Sequence, residues 1–212
     1  MGPLGPTRLA LYRTAEEKRE LEVRNGAIQF LAVLHLISEW KPESKLTPAV
    51  VLELQRLAIN QIYSCAGFLR NAAVRIAGVS HVPPDHGDVE RLVGEMCDYV
   101  NNHWDAPALH LASYLMWRVN WIHPFFGGNG RTARALAYLV LCAKLGFPLP
   151  GTKTNPELIV EDRQPYYQAL RSADEAWEDR MVDISMMESL MSSLLARQLA
   201  DIHRIASGKA ES

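Results

Sequence analysis

The residues best suited to chemistry lie within His123-Pro-Phe-Phe-Gly-Gly-Asn-Gly-Arg-Thr-Ala-Arg134. A histidine changes charge near neutral pH and can take a proton from a hydroxyl. Gly127, Gly128 and Gly130 can adopt backbone angles closed to other residues, so amide N–H groups can converge on one point. From Arg131 onward, Ala133, Leu136, Ala137, Leu139 and Val140 recur with a helical period. A helix N-terminus there presents unpaired donors and partial positive charge, which suit phosphate. Arg131 and Arg134, three apart, share one helix face, and guanidinium forks grip phosphate oxygens in pairs. The combination is a base beside an anion pocket. A glycine-rich turn capping a core helix would explain the glycines but not the two arginines beside them.

These twelve residues resemble the signature of the Fic family, His-Pro-Phe-x-(Asp/Glu)-Gly-Asn-Gly-Arg-x-x-Arg. The resemblance implies an all-α, Fic-like helical domain with a short β-hairpin flap. It implies protein adenylyltransferase activity (AMPylation), in which AMP passes from ATP to a Ser, Thr or Tyr hydroxyl of a target protein. His123 then resembles the general base and Phe125 the buried anchor of the loop. Gly128, Asn129 and Gly130 resemble the phosphate cradle, and Arg131 and Arg134 the clamp on the nucleotide phosphates.

The chain departs from that pattern at Gly127. The family's carboxylate at this place holds magnesium, and glycine supplies no side-chain ligand. A metal contributes several kcal/mol of charge stabilisation in phosphoryl chemistry, and each ~1.4 kcal/mol is a factor of ten in rate. ATP remains the implied donor, while magnesium loses its usual protein ligand. Glu161 and Asp162 are the nearest acidic candidates to replace it. Three functions stay open: weakened AMP transfer, a catalytically degenerate domain that binds nucleotide or protein, and transfer of a different phosphate-linked group.

Two further stretches extend the resemblance. Phe68 to Pro84 is similar to the family's flap, with Val74, Arg75, Ile76, Ala77 and Gly78 as the target-docking residues. Val74, Ile76 and Val82 favour extended structure, and an exposed edge can dock a peptide by strand addition. Glu161 to Leu170 resembles the segment that helps enclose the nucleobase, and Tyr166 or Tyr167 has the chemistry to pack on a base. Two half-buried helix tyrosines fit the same pattern. The family's inhibitory helix carries Ser/Thr-x-x-x-Glu-Gly/Asn, and no glutamate here precedes Gly or Asn. That leaves a separate inhibitory protein, or no brake.

These residues need a scaffold, and the chain reads as helices almost throughout. Helical patterns cover Glu16–Trp40, with Leu21, Ile28, Leu31, Leu34 and Ile37 inward and Asn25-Gly26 as an interruption; Pro48 toward Ser64; Asp88–Asn101; Pro107–Asn120; the motif helix to Gly146; a short helix from Asn155-Pro156; Gln164–Asp174; and Asp183–Ile205. The domain reading is an N-terminal extension and helix over 1–45, the Fic-like domain over 46–206 and a flexible tail over 207–212. Trp117, Trp121, Trp177 and His110 read as packing residues, as do Met181, Met186, Met187 and Met191, and Lys153 as an exposed lysine.

Composition limits the alternatives. The 212 residues are 48% hydrophobic and 22% charged, ordinary values for a globular chain able to bury its own core. A formal net charge of −2 gives no polybasic footprint for nucleic acid. Cys65, Cys97 and Cys142 read as reduced, buried residues of a cytoplasmic protein, with no zinc spacing. No signal pattern is visible, and Ala133–Leu145 is too short to cross a membrane.

Overall fold

A computed structural model describes residues 8–79, 81–149 and 163–207. Among them are seven α-helices: α1 Ala15–Ser38, α2 Pro48–Ile59, α3 Val89–Asn102, α4 Ala108–Ile122, α5 Asn129–Leu145, α6 Gln164–Glu178 and α7 Ser185–Ala206. The all-α expectation holds. The lone β contact among the described residues is an isolated antiparallel bridge between Ala10 and Tyr63.

The centre is the α4–α5 pair. Leu111 to Trp117, Val119 and Ile122 of α4 are all buried, on every side of the helix. A helix apolar all round must lie inside the fold. α5 buries Ala133 and Leu136 through Cys142 against it. The loop between these two helices is short, so they return past one another and hold residues 123–128 at one end. α1 and α2 cover α5, α3 covers α4, and α6 and α7 close over α4 from another side.

Several expected boundaries shift for physical reasons. α1 runs unbroken through Asn25-Gly26. Its inward residues are Asn25, Gln29, Val33 and Ile37, whereas Ile28 and Leu31 are exposed and Leu21 and Leu34 half-buried. The face is chosen by α2: Asn25 Nδ2 donates to the Asn60 carbonyl just beyond the end of α2 (2.7 Å), and Gln29 Nε2 to the Leu54 carbonyl (2.8 Å). Carbonyls at a helix end need such donors, and an apolar count does not register them. α2 stops at Ile59, before Gln61 takes a positive φ of 60°. α6 continues to Glu178. The helix expected at Asn155-Pro156 lies outside the described residues.

The flap is not a hairpin among the described residues. Residues 69–79 form neither helix nor strand; they bend at Ala72 and turn at 77–78, where Val79 N–H meets the Ile76 carbonyl at 3.4 Å and Gly78 has φ +74°. Arg70, not strand pairing, fixes its base: the buried guanidinium donates to the carbonyls of Ala72 (3.1 Å), Pro84 (2.5 Å), Ile122 (3.3 Å) and His123 (2.8 Å).

Candidate active site

α4 ends at Ile122, and His123 caps it in the left-handed region at φ 47°, with its N–H on the Val119 carbonyl at 2.9 Å. A side-chain-bearing residue in that region costs about 1–2 kcal/mol, so neighbours must hold it. Arg70 does so on one side through the His123 carbonyl, and its own N–H reaches the Pro124 carbonyl at 2.8 Å. On the other side Phe125 is fully buried. The Asn129 amide then closes the loop: its Oδ1 accepts from Phe125 N–H (3.0 Å) and its Nδ2 donates to the Phe125 carbonyl (2.8 Å). Gly128 starts α5 at φ +83°, and a side chain there would begin 2.9 Å from Ile59 Cγ2. Buried Gln55 ties α2 to the loop, donating to the Gly127 carbonyl (3.1 Å) and accepting from Gly67 N–H (2.6 Å).

This loop sets the protonation of the histidine. Burial pulls His123 down to about 4, with the Arg70 and His81 charges adding to it and the Asn120 backbone opposing. Its Nδ1 is buried and finds no partner in hydrogen-bonding geometry. The ring is therefore neutral at pH 7, the form that accepts a proton. It lines a cavity of about 410 Å³ together with Ile76, Gly78, Asn120 and Tyr167.

Beyond the loop, α5 presents its cations. Arg131 Nη1 donates to the Ala58 carbonyl (2.8 Å), and its Nη2 lies 3.5 Å from a Glu22 carboxylate oxygen on α1. Arg134 is half-buried, and among the described residues it makes no hydrogen bond or ion pair. Burial lowers its proton affinity, with Arg131 and Arg163 adding repulsion. A partly desolvated guanidinium in that state favours an anionic ligand.

Residues 45–141 match the Fic/DOC family model. The protein adenylyltransferase Fic of Drosophila willistoni is 29% identical over 170 residues, covering 77% of this chain and 32% of the relative. Its namesake from Nematostella vectensis is 32% identical over 129 residues, covering 58% and 28%. The chain thus spans about a third of the length of these curated relatives. A Fic domain containing signaling protein from Bacteroides thetaiotaomicron has a TM-score of 0.78 at 24% identity, covering 95% of this chain and 78% of that one. Fic-1 from C. elegans gives 0.72 at 20% identity, covering 92% and 54%. Both structures share the fold.

The motif loop places His123 at the end of α4 and Gly128, Asn129, Gly130, Arg131 and Arg134 at the start of α5. Asn129 also closes the loop, with both ends of its amide on the Phe125 backbone. The two tyrosines divide. Tyr166 is core, its hydroxyl accepting from Asn120 Nδ2 at 2.8 Å, while Tyr167 is 42% exposed and lines the His123 cavity. Of the flap residues, Ile76, Ala77 and Gly78 line that cavity, whereas Val74 and Arg75 do not. His110 ties α4 to Tyr99 (3.0 Å) and Glu188 (2.6 Å), and the three tryptophans enclose Arg118.

The described part of this loop carries no carboxylate that would hold magnesium. Gly127 offers no side-chain ligand atom, no group of three acidic, His or Cys residues able to hold a metal ion exists among the described residues, and Arg8 Nε stands 3.9 Å from where a Gly127 side chain would begin. Glu161, Asp162 and Lys153 lie outside the described residues. Sequence reading missed Arg70, Gln55, Glu22 and Arg8. Arg70 stood within the flap stretch, but a residue that binds four carbonyls leaves no periodic signal. Gln55 sits on the buried side of α2, and that burial was the available cue.

Proposed function

We propose that this chain transfers AMP from ATP to a Ser, Thr or Tyr hydroxyl of another protein. The observation that carries the proposal is a neutral, largely buried imidazole on the cavity between residues 76–79 and α6, one short loop away from the arginine-bearing start of α5. The relatives named protein adenylyltransferase Fic support it.

In this mechanism the acceptor segment lies along residues 76–79 and brings its hydroxyl to His123. The imidazole takes the hydroxyl proton as the oxygen attacks the α-phosphorus. The bond from that phosphorus to the bridging oxygen breaks, and pyrophosphate leaves. The α5 N-terminus, Arg131 and Arg134 stabilise the negative charge that develops. Tyr167 is the aromatic face available to the nucleobase, since Tyr166 is closed off. A protein substrate is the partner.

Labelled ATP separates the alternatives. With a lysate as acceptor pool, label on the α-phosphate should be retained on protein and label on the γ-phosphate released. Retention of the γ-label, or labelling from a different donor only, would move the chain to another phosphate-linked transfer. ATP binding without any transfer would make it a binding module.

A further inference from the structure

We propose that Arg8 binds the phosphates of the donor nucleotide and supplies there the positive charge that a carboxylate-held metal supplies in the proteins this motif resembles. The proposal rests on the AMP-transfer reading above.

The placement of Arg8 is fixed by backbone. Leu11 N–H meets the Ile62 carbonyl (3.0 Å), Ser64 N–H the Leu9 carbonyl (3.0 Å), and Leu9 N–H the Ser64 hydroxyl (3.0 Å). These bonds clasp the N-terminal segment to the turn after α2. The side chain is then held by Tyr63: Nη2 donates to the phenol oxygen at 2.7 Å, and the guanidinium carbon lies 4.2 Å from the ring centroid. Tyr63 is therefore a shelf that aims the guanidinium, and a stacked arginine loses less freedom on binding an anion.

That shelf stands against the open side of Gly127. A side chain at 127 would begin 3.7 Å from the Tyr63 ring and 3.9 Å from Arg8 Nε, with nothing closer. Space for a carboxylate exists, so crowding does not explain the glycine. Charge does: an acid here would pair with Arg8, and the two would cancel. With glycine, the cation faces the loop that starts α5. Arg131 is already engaged by Glu22, whereas Arg8 pairs with no carboxylate among the described residues. Arg8 thus stands beside the loop whose far end carries Arg131 and Arg134 on α5. A guanidinium fork can grip two phosphate oxygens, and it needs no divalent ion to do so.

The test compares wild type, Arg8→Gln, Arg8→Lys, Gly127→Asp and the double variant Arg8→Gln/Gly127→Asp. ATP binding by calorimetry and AMP transfer are each measured in EDTA and in magnesium. Wild type should bind and transfer equally in both buffers. Arg8→Gln should lose about tenfold or more in both, the scale of one charge-assisted contact, and Arg8→Lys should recover part of it. Gly127→Asp should resemble Arg8→Gln, and the double variant should respond to magnesium. Arg8 is exposed, so the unfolding midpoint should stay at the wild-type value. Wild type that needs magnesium, or Arg8→Gln that matches wild type in both buffers, overturns the role of Arg8 while leaving AMP transfer standing. A wild type that neither binds ATP nor transfers AMP in either buffer overturns both.

Discussion

His123 meets two demands at once: its backbone must turn out of α4, and its ring must stay neutral. Burial satisfies the second, and the bonds from Arg70 and Asn129 to the loop satisfy the first. His123→Ala is therefore expected to remove about 10²–10⁴-fold of AMP transfer, the usual contribution of a positioned base, measured as initial rates at pH 7. At Gly128, a φ of +83° and the contact with Ile59 both penalise a side chain. Gly128→Ala should lower stability by about 1–3 kcal/mol and shift the loop, read by urea unfolding and by ATP affinity. The motif residues were legible in the sequence because their chemistry is unusual at that spacing. The loop-closing bonds of Asn129 were not, since an amide that closes a loop and an amide that cradles phosphate have the same letter.

The elements place the residues, and Arg70 is the clearest case of an element held by one side chain. It donates to four carbonyls from the flap base and the catalytic loop. Arg70→Gln should cost about 1–3 kcal/mol for each buried carbonyl left without a donor, partly relieved by water. It should also weaken transfer more than ATP binding, because the flap and His123 shift together; a variant equal to wild type in both would refute the clamp. On α1, Glu22 lies 3.5 Å from Arg131 and is partly exposed. Such a pair contributes about 0–1 kcal/mol, so Glu22→Gln should tighten ATP binding by a few-fold at most. Helix existence was legible in periodicity, and Val89, Leu92, Val93 and Met96 face inward on α3 as expected. The face of α1 was not, because Asn25 and Gln29 turn inward to serve α2 carbonyls. Among the described residues the flap stretch shows no strand ladder, and arginine-to-carbonyl bonds hold its base instead.

At the scale of the whole molecule, the neutral histidine links folding to pH. His123 falls from 6.5 to about 4 in the folded chain. The unfolded chain therefore binds a proton between those values that the folded chain refuses. Its contribution is complete above about pH 6.5 and is lost as pH falls toward 4, by up to about 3 kcal/mol. The unfolding free energy of wild type should fall, as pH drops across that window, more than that of His123→Gln, and identical slopes would contradict the burial. Ligand binding works in the other direction: ATP at about 100 times its Kd should add roughly 2.7 kcal/mol to stability. α1 packs on both α2 and α5, the motif helix.

One comparison bears on the central claim most directly: ATP affinity and AMP transfer measured side by side for wild type and His123→Ala. A base that touches only the acceptor hydroxyl should leave ATP binding near the wild-type value while transfer collapses. Transfer that survives loss of the imidazole, or ATP binding that falls as steeply as transfer, would contradict the role given to His123.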